Sequence, residues 1–245
     1  MPRTARQIST TDIYHVITRG AGRQILFETP QDYRKYLSTL SRFKDENNIC
    51  LLAYCLMDNH VHLLIKATLP GLSTYMKKVG ISYAAYYNLH YQHSGHIFQD
   101  RFKSQRIEDD SYLYGVFRYI LCNPEKAGIA DAAHYPWSSY NEYVSGDKLT
   151  TNSLFREKIG DECALRAFLG EMDDADYYEF EYGKSSDERA QYLIYILTGF
   201  ENGRLVKSMK KDARNEVLCR LKSEGLTHRQ LERLTGVSRS VIQMI

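Results

Sequence analysis

The chain has 245 residues, of which 43% are hydrophobic and 25% charged, and its net charge of +2 is that of an ordinary soluble globular protein. It contains no run of about 18 apolar residues, and residues 1–6 lack the apolar core of a signal peptide, so we expect a cytoplasmic protein without a membrane span. Its five cysteines are widely spread without a C-x-x-C pair, which argues against a disulfide framework and against a zinc cage.

Hydrophobic periodicity over the first 107 residues predicts four strands and two long helices. In chain order they are a strand at 13–18, a helix from Pro30 to about Asn47, strands at 49–57 and 60–66, a helix after Pro70-Gly71 that ends near Tyr91, and an extended segment at 97–107. Strand, helix, strand, strand, helix, strand is the order of a split βαβ arrangement. The pattern therefore predicts an α+β fold with a ferredoxin-like βαββαβ sheet.

The hairpin predicted over residues 49–66 places two histidines side by side. Residues 60–66 are rich in Leu, Ile and Val, which indicates a buried strand, and Asp58-Asn59 tolerate the positive backbone angles of a tight two-residue turn. Alternate strand residues point to one face, so His60 and His62 stand about 6 to 7 Å apart at the backbone. Because imidazole is the commonest metal-ligating side chain, the pair can chelate one divalent ion. The alternative is a hydrogen-bonded pair without chemistry.

A third helix is predicted after Asp109, which can cap it, and ends near Cys122 because a residue before proline is pushed out of the helical region. Tyr119 and Asn123 are four residues apart, so both lie on one face, with Asn123 at the frayed end. A metal pair and a nearby tyrosine suit phosphodiester transfer. The cation would polarise the phosphate, and the tyrosine would attack phosphorus to form a covalent intermediate. We therefore expect a catalytic helix added to the sheet.

The rest of the chain changes character twice. Residues 146–205 are acidic and rich in Tyr and predict a helical connector, to which we assign no chemistry. Residues 206–245 carry nine Lys or Arg against four acids and predict short helices separated by Thr235-Gly236. This pattern is typical of a helix-turn-helix that reads DNA, although a helical hairpin used for packing is the alternative. We divide the chain into a main domain (1–145), the connector and this all-α region.

Five sequence blocks within residues 13–143 carry a family resemblance. They are Tyr14–Gly20 (YHVITRG), Tyr54–Leu63 (YCLMDNHVHL), Gly95–Lys103 (GHIFQDRFK), Arg118–Gly128 (RYILCNPEKAG) and Tyr135–Tyr140 (YPWSSY). In this order they resemble the HUH single-tyrosine transposases, most closely the branch associated with repetitive extragenic palindromes (REP). Five ordered blocks are more specific than any one of them. The small departure is Asp58, in the turn, where the family usually has proline.

The resemblance implies a metal-dependent transposase and DNA endonuclease whose nucleophile is Tyr119. It also implies that His60, His62 and Asn123 ligate Mg²⁺ or Mn²⁺. The substrate would be single-stranded or hairpin DNA, cut and rejoined beside the hairpin foot through a 5′-phosphotyrosine. Some members of the branch carry a C-terminal helix-turn-helix. We expect no membrane partner, and a monomer or a homodimer.

Five cations are the candidates for contacts with the DNA backbone. Arg19 and Arg23 flank a loop with two glycines, and the alternation Arg101-Phe102-Lys103 puts two cations on one strand face. Arg239 lies in the last predicted helix. The alternative is that these are ordinary solvated side chains.

Other tyrosines and histidines offer rival assignments. Tyr112 and Tyr114 lie on the helix of Tyr119, but neither shares its face with a polar ligand so placed. A second cluster of histidines, two of which fall at a helix end where the dipole favours imidazolium, consists of His90, His93 and His96.

Two functional alternatives remain beside the transposase. A DNA-binding regulator could keep the fold without cutting, but a pure binder has no need of His60, His62 and Tyr119 together. A replication or conjugation nicking enzyme would share the chemistry, but such enzymes usually carry a helicase or larger accessory domains, for which 245 residues leave no room.

Overall fold

The computed structural model describes residues 6–146, 148–171, 190, 194–195, 197–200, 202–223 and 226–244. The chain divides into two compact units, Met1–Tyr178 and Glu179–Ile245. All five cysteines are free thiols. Within the described part, no helix has both the length and the apolar composition needed to cross a lipid bilayer. The division into three regions that the sequence suggests stays a prediction.

A four-stranded antiparallel sheet lies at the centre of the first unit. Its strands are β1 (Ile13–Arg19), β2 (Cys50–Leu56), β3 (His60–Lys66) and β4 (Lys103–Ile107), in the spatial order β2-β3-β1-β4. The helices α1 (Pro30–Lys44) and α2 (Leu69–His90) follow β1 and β3. The predicted combination of helices with an antiparallel sheet is therefore confirmed.

The two faces of the sheet pack against different helices. On one face Val16 and Leu63 belong to a core shared with α1 and α2. On the other face Ile13 and Leu64 belong to a core shared with the helix α3 (Asp110–Lys126). Because successive strand residues point to opposite faces, a strand covered on both sides must be apolar almost throughout. This explains why the residues of β1 and β3 are largely buried and mostly apolar.

Tyrosine hydroxyls tie α2 to the chain around it. Each donates a hydrogen bond to a main-chain carbonyl: Tyr75 to Leu40 (3.0 Å), Tyr83 to Leu26 (2.6 Å) and Tyr87 to Ile25 (3.1 Å). The carbonyls of Leu26 and Ile25 lie outside the helices and strands, so the tyrosine hydroxyls supply donors that regular structure does not.

Asp32 connects the start of α1 with the end of α2. It forms a capping box with Thr29 and accepts hydrogen bonds from the hydroxyls of Tyr86 (2.8 Å) and Tyr91 (2.6 Å). Burial by itself would raise the pKa of this carboxyl, but the hydrogen bonds from Tyr91, Tyr86 and Thr29 together lower it below its ordinary value. The ionised carboxylate is therefore the form that the fold stabilises.

Helix α3 extends beyond the predicted end. Asp109 caps it as expected, since its side chain accepts from the N–H of Tyr112 (2.7 Å). The expected stop before Asn123 is wrong, because the helix continues to Lys126 with Pro124 inside it. The N–H of Ala127 still bonds to the carbonyl of Asn123 (3.1 Å), so the last turn remains closed. Packing of this apolar helix outweighs the bias of a residue before proline, and Asn123 is buried rather than frayed.

The segment before β4 is less regular than expected. Strand pairing begins only at Lys103, and the preceding part makes one isolated bridge, between Phe98 and Gly20. Arg101 therefore lies outside the strand, and the prediction that it shares a strand face with Lys103 is wrong. The chain leaves the sheet after the N–H of Gln99 bonds to the carbonyl of Arg19 (2.9 Å), and it pairs with β1 again from Lys103.

In the described part of the first unit, three short helices follow α3: α4 (Tyr140–Ser145), α5 (Ser153–Ile159) and α6 (Glu162–Gly170). Phe155 of α5 stacks on Phe117 of α3 with ring centroids 3.8 Å apart. Leu165 of α6 belongs to the same core. Part of the segment expected to connect two domains therefore packs on the main core.

The second unit contains the helices α7 (Lys211–Ser223), α8 (His228–Thr235) and α9 (Arg239–Gln243). Thr227 and Gln230 form a capping box at the start of α8. Gly236 ends this helix with a φ of 69°, a left-handed conformation that glycine adopts without strain. The buried residues of this unit include Leu218, Leu231 and Ile242.

Candidate active site

The turn between β2 and β3 sets the position of His60. The N–H of Met57 donates to the carbonyl of His60 (2.8 Å), which closes a two-residue loop. The positive backbone angles expected there are wrong, since neither loop residue has a positive φ. Instead, the carbonyl of Asp58 accepts from the N–H of Leu26 (2.7 Å), and that of Asn59 accepts from Gly20 (2.9 Å). The segment after β1 therefore fixes the turn.

The two histidines of β3 form a close pair. Their ring centroids are 4.9 Å apart, with the ring planes 82° from parallel. His60 Nδ1 lies 2.7 Å from Asn59 Oδ1, and His62 Nδ1 lies 3.1 Å from Nε2 of His15 on β1. Asn123 lies close enough to His60 to raise the pKa of its imidazole. With each Nδ1 engaged, Nε2 is the nitrogen through which either ring can bind a further ligand.

All three imidazoles are held neutral. Burial lowers the pKa of His15 to about 3. Burial and the nearby charge of Arg19 lower the pKa of His60 to about 4, although Asn123 and Asp58 act to raise it. Burial is the largest cause that lowers the pKa of His62 well below its ordinary value, and the imidazoles of His60 and His15 lower it further. The neutral ring is the form that coordinates metal ions.

Helix α3 presents Tyr119 and Asn123 to the histidines. The Tyr119 ring lies 5.4 Å from the ring of His62 and 5.9 Å from that of His15, both edge to face. Asn123 is one helical turn further on, near enough to His60 to act on the pKa of its imidazole. The structure therefore brings together all four residues that the resemblance assigns to the chemistry.

Two further side chains join this cluster without having been predicted. The Lys126 ammonium lies 4.5 Å from the centre of the Tyr119 ring. His15 is fully buried beside His62. A histidine inside an otherwise apolar strand is the sequence feature that could have singled out His15. Only the pairing register of β1 and β3 shows which side chain it meets. Lys126 lies seven residues after Tyr119, a helical spacing that indicates a shared face only if the helix passes Pro124.

Two of the candidate DNA-contacting cations border the site. Arg19 stands opposite His60 in the sheet, and Lys103 stands opposite Ile17 at the start of β4. Burial lowers the pKa of Lys103, Asp100 opposes this effect, and the charge of Arg19 adds to it. Arg23 is exposed in the short turn that follows β1.

The remaining candidates lie elsewhere. Arg101 is exposed, and its charge acts on Arg6, whose guanidinium lies 3.9 Å from the ring centre of Phe102. Arg239 belongs to the second unit, where its N–H donates to a carboxylate oxygen of Glu232 (3.1 Å).

Other possible metal ligands have structural contacts. His90 stacks on Tyr86 with centroids 5.4 Å apart, and His93 Nδ1 lies 3.0 Å from Asn88 Oδ1. Throughout the described ranges, no group of three or more His, Cys, Asp or Glu side chains could hold a metal ion. The donor set at the candidate site is therefore two imidazoles and one amide.

Residues 9–123 match the model of the family described as "Transposase IS200 like". This segment is similar to the IS200-like transposases. It contains His15, both histidines of β3, Tyr119 and, as its last residue, Asn123. The resemblance to transposases that the five sequence blocks suggested is confirmed.

A solved structure has a similar fold. It is described as "Structure of the REP associates tyrosine transposase bound to a REP hairpin" and is 17% identical in sequence. The TM-score is 0.51, and the similarity covers 62% of this chain and 96% of that chain. Among curated proteins, none matches the sequence. At this identity, the likeness to the solved structure shows the fold.

Proposed function

We propose that the protein cuts and rejoins single-stranded DNA beside hairpins of the REP type, with Tyr119 as the nucleophile. The observation that carries this proposal is the meeting of Tyr119 with two neutral imidazoles and Asn123 inside a transposase domain. A hairpin complex of a protein with a similar fold supports this class of DNA substrate. We expect the protein to act in the cytoplasm as a monomer or a homodimer.

The residues of the site fit a divalent cation, Mg²⁺ or Mn²⁺. His60 and His62 are neutral, and the partner of each Nδ1 orients the ring so that Nε2 can coordinate. Asn123 would supply the third ligand through its amide oxygen. Because these ligands bring no negative charge, we expect weak binding that favours Mn²⁺ over Mg²⁺ and strengthens when a DNA phosphate is present. When bound, the cation would polarise a phosphate oxygen and stabilise charge in the transition state.

Tyr119 supplies the covalent step. Its hydroxyl oxygen attacks phosphorus, so that the bond from that oxygen to phosphorus forms while the bond from phosphorus to the 3′ oxygen breaks. The phenolic proton passes to solvent, and the leaving oxygen takes up a proton to become a 3′ hydroxyl. Attack by a 3′ hydroxyl on the 5′-phosphotyrosine reverses the step, so rejoining needs no ATP.

Lys126 and the neighbouring cations assist this reaction electrostatically. The Lys126 ammonium beside the Tyr119 ring stabilises the negative charge that develops on the attacking oxygen and the phosphate. Arg19 and Lys103, at the border of the site, would hold flanking phosphates, and the exposed Arg23 extends this surface. These contacts set the position of the strand and carry no base information.

A covalent-adduct assay tests the proposal. A labelled hairpin oligonucleotide with a single-stranded flank is incubated with the protein and Mn²⁺, and the products are separated under denaturing conditions. We expect a protein-linked product that Tyr119→Phe abolishes while hairpin binding remains. The matched control is Tyr114→Phe on the same helix, where the lost hydroxyl bonds only weakly to the carbonyl of Leu154 (3.4 Å), and this variant should keep the adduct.

The same assay separates the proposal from its main alternative. An adduct formed by the Tyr119→Phe protein would show that another residue is the nucleophile. Hairpin binding by the wild-type protein without any adduct, in Mg²⁺ and in Mn²⁺, would identify a DNA-binding regulator that keeps the fold.

We also infer a ferredoxin-like topology for the sheet and a helix-turn-helix over residues 206–245. The strand order β2-β3-β1-β4 supports the first, and the pair α8 and α9, separated by three residues, supports the second. Replacing Arg239 with alanine should weaken hairpin binding and reduce its salt dependence by about one phosphate contact. Lys78→Ala is the control, since Lys78 is already paired with Glu46 at 2.7 Å. An unchanged salt dependence in Arg239→Ala would contradict this role.

A further inference from the structure

His15 makes an unusual contact with the candidate metal site. It lies on β1, is fully buried, and meets His62 nitrogen to nitrogen at 3.1 Å. The ring centroids are 5.3 Å apart and the ring planes differ by 25°. A centroid distance this much longer than the nitrogen distance fits two nearly coplanar rings that meet edge to edge. The contact is therefore an in-plane hydrogen bond rather than a face-to-face stack.

The pairing register explains why the two rings meet. Ile17 stands directly opposite His62 in the antiparallel pair of β1 and β3. His15 is two residues before Ile17, so it points to the same face and is a diagonal neighbour of His62. The position is thus built into the sheet, and it does not depend on a loop.

A hydrogen bond between two neutral imidazoles leaves only two arrangements of protons. A neutral ring carries one N–H and one lone pair. If His62 donates from Nδ1, its lone pair is on Nε2, where a cation can bind. If His15 donates from Nε2, then His62 must carry its own proton on Nε2 and cannot bind a cation there. Only the first arrangement allows His62 to act as a ligand.

We propose that His15 is a positioning residue that accepts the Nδ1 proton of His62 and so holds the Nε2 lone pair of His62 available to the cation. This inference rests on the proposed function. The acceptor behind a ligating histidine is commonly a carboxylate or a carbonyl oxygen. Here it is a second imidazole, which adds no negative charge to the site. The ring of His15 also packs against Tyr119, with centroids 5.9 Å apart, so one side chain supports the ligand and the nucleophile together.

The protonation of His62 can be observed directly in the unaltered protein. Long-range ¹H–¹⁵N spectra of the imidazole rings distinguish a proton on Nδ1 from one on Nε2. We expect His62 in the metal-free, full-length protein to carry its proton on Nδ1, and His15 to leave Nε2 unprotonated. A proton on Nε2 of His62 would overturn the proposal without any variant having to fold.

Cation affinity provides the second test. Mn²⁺ binding is followed by electron paramagnetic resonance with hairpin DNA present, in a Tyr119→Phe background so that no turnover occurs. His15→Leu should weaken Mn²⁺ binding about 10- to 100-fold. His15→Gln should restore most of the affinity, because its amide oxygen can accept the same proton.

A matched control separates positioning from stability. Ile13→Ala removes buried volume from the same strand and the same sheet face, and it should lower the melting temperature without changing Mn²⁺ affinity. Equal Mn²⁺ affinities for His15→Leu and Ile13→Ala would overturn the role of His15 while leaving the proposed function intact. Absence of Mn²⁺ binding in the background protein itself would overturn both.

Discussion

Buried tyrosines serve the two faces of the sheet in different ways. On the face covered by α1 and α2, the hydroxyls of Tyr75 and Tyr83 donate to the carbonyls of Leu40 and Leu26. On the face covered by α3, the ring of Tyr119 lies against imidazoles and an ammonium group. The same type of side chain completes main-chain hydrogen bonding on one side and lies among imidazole and ammonium groups on the other. The neighbours, rather than the residue type, decide its role.

The energetic consequence is that the two faces should respond differently to substitution. Hydroxyls on the α1 and α2 face contribute to stability, because removing one leaves a buried carbonyl without its donor. On the α3 face, imidazole and amide groups are buried. Burying such polar groups costs free energy of folding, which a purely structural core would avoid. We therefore expect substitutions on the α1 and α2 face to lower stability and leave the cleavage rate intact. Substitutions on the α3 face should lower the cleavage rate and leave stability intact.

The largest effect should come from the histidines of β3. His60→Ala or His62→Ala should lower the cleavage rate by about 10³-fold or more in both Mg²⁺ and Mn²⁺, because several kcal/mol of charge stabilisation is lost. Asn123→Ala should leave a residual rate that higher Mn²⁺ partly restores. Single-turnover cleavage of a labelled hairpin measures all three. Metal-independent cleavage by His62→Ala at the wild-type rate would remove the distinction between the two faces.

A smaller loss is expected at Lys126. Lys126→Met should lower the single-turnover rate at saturating DNA about 10-fold, equivalent to about 1.4 kcal/mol, while Lys126→Arg should keep most of the rate. The matched control is Lys158→Met, because the Lys158 ammonium lies at the same distance, 4.5 Å, from the ring of Tyr114. If both methionine variants cut equally fast, the ammonium beside Tyr119 has no part in the chemistry.

On the opposite face, Asp32→Asn should reduce the free energy of unfolding by about 2 to 3 kcal/mol at neutral pH, as for hydrogen bonds to a charged group. Because the folded pKa of Asp32 is lowered, its contribution is complete above the ordinary value of about 3.9 and is lost as the pH falls through the folded pKa. Urea unfolding of both proteins between neutral pH and pH 3 should show the difference shrinking. A difference that grows on acidification would contradict the capping role.

The smaller of the two stability effects is expected for Tyr83→Phe, which should cost about 1 to 2 kcal/mol of stability while the folded protein cleaves at the wild-type rate. Thermal unfolding combined with the adduct assay measures both quantities. Tyr119→Phe should show the opposite pattern, with little change in melting temperature. Equal behaviour of the two phenylalanine variants would mean that the faces of the sheet do not differ in this way.

Local patterns predicted the histidine pair and the face shared by Tyr119 and Asn123, because strand and helix periodicity decide both. The proline rule placed the end of α3 too early, since it reports a local preference that buried apolar contacts override. That error also hid Lys126, which lies beyond the expected end. His15 could not be assigned a neighbour, because contacts between strands depend on a register that no short stretch of sequence contains.

Strand β3 lies between β2 and β1 in the sheet, so its main chain is hydrogen-bonded on both edges. Amide protons of such an interior strand exchange with solvent only when the whole domain opens. We expect the β3 amides to exchange most slowly in the first unit and those of the edge strand β4 to exchange much faster. The imidazoles at the start of β3 would then keep their spacing through many cycles of DNA binding and release, for as long as the domain stays folded.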